Sequence, residues 1–146
     1  MPGKGSVLIV DDHTDTRELL AEYLSYLGFD VATAATGEDA VTMVEQLRPQ
    51  VVLMDLWLPG RLDGFDATRR IKANRVTRNT AVIAVTGDAV PADHERAMHA
   101  GCQAVFIKPV DFKRLVADIE LLVARAHSAT LPIAETRLLK PHAVKD

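Results

Sequence analysis

Four short apolar runs in this sequence each end at a polar residue that could take part in chemistry. The first run is followed by Asp11 and Asp12, and another by Asp55. Two further runs end at Thr86 and at Lys108. A single Asp at a strand end is most often a turn or helix-capping residue. Three carboxylates, a hydroxyl and an ammonium at equivalent positions instead predict one shared polar site.

A cluster of three carboxylates needs a compensating charge. Two carboxylates about 4 Å apart repel each other by roughly 4 kcal/mol at an effective dielectric constant near 20. A divalent cation, a raised pKa or the ammonium of Lys108 would relieve that repulsion. Hard oxygen ligands without His or Cys favour Mg²⁺ or Mn²⁺, and Mg²⁺ commonly accompanies phosphoryl groups. The set therefore predicts phosphoryl transfer, with one Asp as the nucleophile.

The elements that would position these residues alternate regularly along the chain. Apolar runs predict strands, and apolar residues at helical spacing predict a helix after each strand. Strands that are separated by helical crossovers pair in parallel, so we expect an α/β fold, a doubly wound five-stranded parallel sheet with five helices. The predicted strands are 7–10, 29–35, 51–54, 81–85 and 104–107, and the predicted helices are 15–27, 38–47, 64–73, 91–100 and 115–126.

Several helix ends and buried faces are also predicted. The first helix should have Thr14 or Asp15 as its N-cap and Gly28 just past its end. Its buried stripe should include Leu19, and the buried stripe of the second helix should include Leu47. Pro91 suits the first turn of the fourth helix, and Gly101 should close that helix. His13 is interpreted as a solvent-facing residue at the entry to the first helix.

Composition excludes several classes of function. The 146 residues carry a net charge of −3, which argues against a nucleic-acid-binding surface. No apolar run is long enough to span a membrane, and no signal peptide precedes the first strand. The single Cys102 permits no internal disulfide, so we expect a cytoplasmic protein. One domain over residues 1–128 is predicted, followed by a tail or linker at 129–146.

The ordered set of motifs resembles the receiver domain of bacterial two-component response regulators. The resemblance covers residues 7 to about 126. It implies a flavodoxin-like sheet with strand order 2-1-3-4-5. The matching motifs are Val10-Asp11-Asp12, Met54-Asp55-Leu56-Trp57-Leu58-Pro59 with Asp63-Gly64, Val85-Thr86-Gly87, and Lys108-Pro109.

The resemblance assigns a role to each acidic residue. It implies that Asp55 is the phosphoacceptor. Asp12, Asp55 and the backbone carbonyl of Trp57 would bind Mg²⁺, and Asp11 would act on the metal through water. Because Trp57 lies two residues beyond Asp55, its indole either borders the mouth of the site or is an exposed loop side chain packed on its neighbours.

Of the remaining positions in the family pattern, some match this chain and others differ from it. By resemblance, Thr86 would hydrogen-bond the phosphoryl group, Lys108 would pair with it, and the peptide bond before Pro109 would be cis. The family usually has Tyr, Phe or His three residues before the lysine, where this chain has Val105. Phe106 should face the other side of the strand and join the core. The loop after Asp55 is also one residue longer than the commonest family spacing.

The leading hypothesis is therefore a phosphoacceptor domain that signals by protein–protein contact and is not an enzyme in its own right. Its partners would be a histidine kinase or histidine phosphotransfer protein and a downstream protein, and it would be a monomer or weak dimer. One alternative is a Mg²⁺-dependent phosphohydrolase of the haloacid-dehalogenase type. That class needs a second Asp two residues after the nucleophile, where this chain has Trp57. The other alternative is a degenerate receiver that serves only as a binding module.

Overall fold

The computed structural model of the chain describes residues 3–129. The tail predicted at 129–146 lies outside these residues except for its first position. Five strands alternate with five helices, as the sequence predicts. The strands are β1 (Ser6–Val10), β2 (Asp30–Ala34), β3 (Val51–Met54), β4 (Ala81–Thr86) and β5 (Ala104–Ile107). The helices are α1 (Thr14–Tyr26), α2 (Gly37–Leu47), α3 (Gly64–Ala73), α4 (Pro91–Ala100) and α5 (Phe112–Ala129).

All five strands pair in parallel in the order β2-β1-β3-β4-β5, which confirms the expected topology. The central strand β3 is buried at every position because helices cover both faces of the sheet. Val10 lies opposite Met54, so the residues that follow them are neighbours at the same sheet edge. The register thus brings the first and second acidic motifs together.

Two apolar clusters fill the space on the two faces of the sheet. On one face, α2, α3 and α4 contribute side chains such as Val44, Phe65 and Ala97. On the other face, α1 and α5 contribute side chains such as Leu24 and Ile119. Each helix therefore has a fixed orientation relative to the strand ends that carry the polar residues.

The predicted ends of α4 and the glycine after α1 are confirmed. Pro91 is in the first turn of α4, and Gly101 ends that helix with a φ of 118°. Gly28 follows the C-cap of α1 and has a φ of 102°. Such left-handed conformations are open to glycine at little cost. The predicted N-cap of α1 is wrong, because His13 takes that position without a side-chain capping bond.

Two predictions about buried leucines are also wrong. Leu19 is 57% exposed, because Leu20 and Leu24 already define the buried face of α1 and Leu19 points about 100° away from Leu20. Leu47, the last residue of α2, is 55% exposed. It borders an open groove next to β2, together with Val31 and Pro49.

The helices of the described residues include none that is both long and apolar enough to cross a membrane.

Candidate functional site

Two buried carboxylates lie side by side where β1 and β3 end. The backbone N–H of Asp55 donates to the carbonyl of Val10 at 3.0 Å, and that of Asp11 donates to the carbonyl of Ala34 at 3.1 Å. These bonds extend the sheet ladder by one residue and fix where each side chain points. Asp11 is 2% exposed and Asp55 is 5% exposed. Burial of this degree is rare for a carboxylate unless a partner compensates for it.

A compensating charge comes from Lys108, one of the three possibilities that the sequence leaves open. Its Nζ lies 2.7 Å from Asp11 Oδ2 and 3.6 Å from Asp55 Oδ2. The backbone N–H of Lys108 donates to the carbonyl of Thr86 at 2.9 Å, which ties the end of β5 to the end of β4. The peptide bond between Lys108 and Pro109 is cis, which confirms the expectation from the resemblance.

The pKa of Asp55 is raised above its ordinary value. Burial is the main cause, and the charges of Asp11 and Asp12 act in the same direction. The backbone N–H of Trp57 and the charge of Lys108 act against the shift but do not cancel it. For Lys108 itself, burial disfavours the charged amine, but the hydrogen bond with Asp11 and the charge of Asp55 outweigh burial and raise its pKa. The ammonium therefore stays charged in the site.

Asp12 provides the third carboxylate, and one of its oxygens is buried without a hydrogen bond. Ligand atoms of Asp11, Asp12, His13 and Asp55 all lie within 4.8 Å of one another. Oδ1 of Asp12 is buried and accepts no hydrogen bond within the described residues. A buried carboxylate oxygen without a hydrogen bond is costly, and a divalent cation would satisfy it. The three carboxylates of this group thus fit Mg²⁺ or a similar hard cation.

His13 is closer to this cluster than the sequence interpretation expected. Its side chain is 70% exposed, but Nδ1 lies 3.2 Å from Asp11 Oδ1 and 3.4 Å from Asp12 Oδ1. The backbone N–H of His13 also donates to Asp11 Oδ1 at 2.8 Å. The residue is therefore solvent-facing, as predicted, with one ring nitrogen turned towards the carboxylates.

The loop after Asp55 is held by a close backbone approach and by a helix cap. The N–H of Gly64 donates to the carbonyl of Leu56 at 2.9 Å. A Cβ at Gly64 would collide with the carbonyl of Asp55, so only glycine fits here. Asp63 and Asp66 form a reciprocal capping box at the start of α3. These contacts fix the path of the loop between β3 and α3.

Trp57 connects the acceptor strand to a distant loop. Its backbone N–H donates to Asp55 Oδ1 at 3.1 Å. Its indole Nε1 donates to the carbonyl of Asp88 at 2.7 Å, and its ring meets that of Phe65 edge-on at 5.4 Å between centroids. The side chain is 46% exposed and borders an open pocket that also includes Asp12 and Arg61. No local sequence signal could have predicted a bond to a residue 31 positions away.

The matching sequence family is described as the response regulator receiver domain, and it covers residues 7–120. The chain belongs to this family. The polar-differentiation response regulator DivK of Brucella anthropi is 31% identical over 115 residues, covering 79% of this chain and 93% of DivK. The probable transcriptional regulator ycf27 of Cyanophora paradoxa is 32% identical over 133 residues, 91% of this chain. This chain spans only 54% of the length of ycf27.

Solved receiver domains have the same fold. The receiver domain of a sensor histidine kinase from Pseudomonas aeruginosa is 32% identical, with a TM-score of 0.75. The match covers 82% of this chain and 98% of that one, which has a magnesium ion coordinated in its active-site cleft. The signal receiver domain of a Luxo repressor protein from Vibrio parahaemolyticus is 28% identical, with a TM-score of 0.77, over 84% of this chain and 92% of that one.

Membership in this family gives a general account of what the domain does. Receiver domains of two-component systems are signalling domains, generally without an enzymatic reaction of their own, and they interact with histidine kinases or phosphotransfer proteins. The acidic pocket of Asp11, Asp12 and Asp55 in this receiver is typical of a phosphoacceptor site.

Val105 on β5 stands where the resemblance implies an aromatic side chain. Thr86 is fully buried on β4, and its hydroxyl lies 3.5 Å from the carbonyl of Asp88. Val105 packs against the cluster formed with α2, α3 and α4, whereas Phe106 packs on the opposite side of the sheet. The orientation predicted for Phe106 is thus confirmed, and no aromatic side chain of β5 lies on the face that carries α4.

Proposed function

We propose that this receiver domain accepts a phosphoryl group on Asp55 from a histidine kinase or a histidine phosphotransfer protein. The observation that carries the proposal is the pairing of a buried Asp55 carboxylate with the Lys108 ammonium, beside a buried oxygen of Asp12 that accepts no hydrogen bond within the described residues. That combination of nucleophile, fixed cation and vacant ligand atom suits phosphoryl transfer.

In the transfer step, a carboxylate oxygen of Asp55 attacks the phosphorus of a phosphohistidine. The new P–O bond forms as the P–N bond of the donor breaks, and the donor imidazole leaves with the electron pair. The product is an acyl phosphate on Asp55. Burial favours attack by the carboxylate because it removes water that would otherwise solvate the nucleophile.

The other site residues hold the reacting groups and balance their charge. Asp12, Asp55 and the carbonyl of Trp57 would bind Mg²⁺ directly, with Asp11 acting through water, and bound Mg²⁺ would neutralise charge on the phosphoryl oxygens. Lys108 is anchored by Asp11 at 2.7 Å and is close enough to pair with a phosphoryl group on Asp55.

Thr86 would donate its hydroxyl proton to a phosphoryl oxygen. Its position at the end of β4, next to β3, supports this role. Because the hydroxyl now makes only a long contact of 3.5 Å with Asp88, little interaction is lost when it turns to a new acceptor.

The signal would leave the domain through protein–protein contact. We infer a cytoplasmic domain over residues 1–128, a monomer or weak dimer, that catalyses only its own phosphorylation and slow dephosphorylation. The buried free Cys102 is consistent with a reducing compartment.

The test is incubation of the full chain with Mg²⁺ and acetyl phosphate, followed by intact mass measurement. The expected result is a gain of about 80 Da in the wild type and none in Asp55→Asn. Asp30→Asn is the matched control, because Asp30 is an exposed carboxylate at the opposite end of a strand in the same sheet, and it should still gain the adduct.

The alternatives give different outcomes in the same experiment. Steady release of phosphate without an adduct would identify a phosphohydrolase instead. A protein that neither gains the adduct nor releases phosphate would be a degenerate receiver. An adduct that persists in Asp55→Asn would move the acceptor to another carboxylate.

A further inference from the structure

One backbone carbonyl in the β4–α4 loop is shared by two donors from different elements. The carbonyl of Asp88 accepts the indole N–H of Trp57 at 2.7 Å and faces the hydroxyl of Thr86 at 3.5 Å. The first distance is that of a strong N–H···O bond, and the second is at the limit for a hydroxyl donor. Trp57 is therefore the main support of this loop segment, and Thr86 is a weaker competitor.

Trp57 also touches the acceptor carboxylate. Its backbone N–H donates to Asp55 Oδ1 at 3.1 Å, and this bond is charge-assisted while the carboxylate is ionised. Trp57 thus contacts Asp55 through its backbone N–H and binds the β4–α4 loop through its indole. Among the described residues, no other residue makes hydrogen bonds both to the Asp55 carboxylate and to Asp88.

A second connection runs from the same indole into α4. The Trp57 ring meets Phe65 edge-on, at 5.4 Å between centroids and 73° between planes. Phe65 is fully buried, and the guanidinium of Arg96, in α4, stacks over its ring at 3.9 Å. Arg96 also lies 3.9 Å from Asp63, beside the acceptor loop. The indole therefore reaches α4 both at the loop that precedes it and in its middle.

We propose that Trp57 is the positioning residue that couples the state of Asp55 to α4, in a receiver that lacks an aromatic side chain on that face of β5. This inference rests on the proposed phosphorylation of Asp55. A threonine hydroxyl has one proton, so Thr86 cannot donate to a phosphoryl oxygen and to Asp88 at once. When Thr86 turns to the phosphoryl group, the Asp88 carbonyl is left to Trp57 alone.

Phosphorylation changes the other end of Trp57 in the same event. Conversion of the Asp55 carboxylate into an acyl phosphate removes the ionised acceptor of the Trp57 backbone N–H, which weakens that bond. The indole is then held more by the β4–α4 loop and less by the acceptor strand. The resulting shift is passed to α4 through Asp88 and through the contact of Phe65 with Arg96.

The first test follows the indole proton by NMR. The chain contains one tryptophan, so its Nε1–H gives one assignable signal. Adding beryllofluoride with Mg²⁺ to the wild type should move this signal downfield as the bond to Asp88 shortens. Thr86→Val, which lacks the competing hydroxyl, should show the signal already displaced in the same direction without beryllofluoride, and Thr86→Ser should not. An indole signal that is the same in Thr86→Val as in the free wild type would overturn the shared-carbonyl argument.

The second test removes only the donor. Trp57→Phe keeps an aromatic ring beside Phe65 but has no N–H, and the backbone carbonyl is retained. Compared at equal saturation with beryllofluoride, the chemical-shift changes of the backbone amides of residues 92–100 in α4 should be smaller than in the wild type by about twofold or more. The amides of Gly87 and Lys108 should still respond. Tyr26→Phe, an exposed aromatic on α1, is the matched control and should leave the response of α4 unchanged.

The two proposals fail in different ways. A wild type that neither gains the phosphoryl adduct nor responds to beryllofluoride would refute the proposed function. A wild type that responds at Gly87 and Lys108, with an equal response of α4 in Trp57→Phe, would refute only the role of Trp57. A Trp57→Phe protein that does not fold would leave the Thr86→Val and Thr86→Ser comparison to decide the question.

Discussion

The acceptor site carries more negative charge than its own residues balance. Asp11 and Asp55 are buried and share the ammonium of Lys108, while one buried oxygen of Asp12 accepts no hydrogen bond within the described residues. Charge of this kind is costly to fold around, and a bound cation would relieve it. Stability should therefore respond to single substitutions here in a direction set by charge.

Asp55→Asn should increase the free energy of unfolding near neutral pH, without Mg²⁺, by on the order of 1 kcal/mol. Burial raises the pKa of Asp55, so its ionisation opposes folding. Below the ordinary pKa of Asp the side chain is neutral in both the folded and the unfolded protein, and folding carries no ionisation penalty. As pH rises through the raised pKa of folded Asp55, the carboxyl ionises in the folded protein and this part of the free energy of unfolding is lost. The advantage of the amide should therefore disappear in acid.

Urea unfolding of the wild type and of Asp55→Asn at several pH values measures this difference. Asp30→Asn serves as the control, since its carboxylate is exposed at the start of β2. An Asp55→Asn protein that is less stable than the wild type at neutral pH would contradict the electrostatic argument.

Lys108→Ala should lower stability by about 2 kcal/mol at neutral pH, because it leaves the buried carboxylate of Asp11 without its partner. Asp11→Asn alone should cost less, since an amide tolerates burial better than an unpaired charge. The double variant should be more stable than the sum of the two single changes predicts. Denaturant unfolding of the wild type, the two single variants and the double variant gives a double-mutant cycle. Strictly additive changes in the free energy of unfolding would show that Lys108 and Asp11 are not coupled.

At the scale of elements, local sequence patterns correctly predicted the strands and several helix ends, because local interactions determine those features. The apolar runs that end at Asp55 and Thr86 predicted strands, and Pro91 and Gly101 predicted the ends of α4, since backbone conformation and burial decide such features. The orientation of Phe106 followed from the alternation of side chains along a strand. The parallel register then brought together residues that are far apart in sequence.

The sequence could not predict features that depend on how the elements pack. Leu19 fits the apolar stripe of α1, yet the rotation of the helix on the sheet leaves it exposed. The indole of Trp57 could contact several neighbours, and its hydrogen bond to the Asp88 carbonyl depends on how the β3–α3 loop packs against the β4–α4 loop. The same is true of the position of His13 beside the carboxylates.

The loop between β3 and α3 depends on one glycine. Gly64→Ala should destabilise the domain by about 3 kcal/mol or more, because the new Cβ would overlap the carbonyl of Asp55 and lie 2.6 Å from Cα of Leu56. Gly87→Ala is the matched control, because its Cβ would meet nothing closer than Cδ of Lys108 at 4.0 Å. Thermal unfolding of both variants measures the difference, and equal losses would show that the close approach at Gly64 has relaxed.

For the whole molecule, cation binding should act as a stabilising ligand. Mg²⁺ at about 100 times its dissociation constant should add roughly 2.7 kcal/mol to the free energy of unfolding, since the unfolded chain has no assembled site. Asp12→Asn should remove most of this increase, because a neutral amide replaces the carboxylate whose buried oxygen accepts no hydrogen bond within the described residues. Unfolding of both proteins with and without MgCl₂ tests the prediction, and an equal increase in the variant would place the cation elsewhere.

The strand order also predicts different rates of local opening for the two strands that precede Asp55 and Lys108. β3 pairs with both β1 and β4 and is fully buried, whereas β5, among the described strands, pairs only with β4 and is partly exposed. Amide hydrogens of an edge strand exchange through local opening, while those of a central strand wait for global unfolding. Lys108 follows the edge strand β5, and Asp55 follows the central strand β3. We expect a bond between the Lys108 ammonium and a group on Asp55 to slow amide exchange along β5, which would report the state of Asp55 through how often an edge strand opens, even with an unchanged average structure.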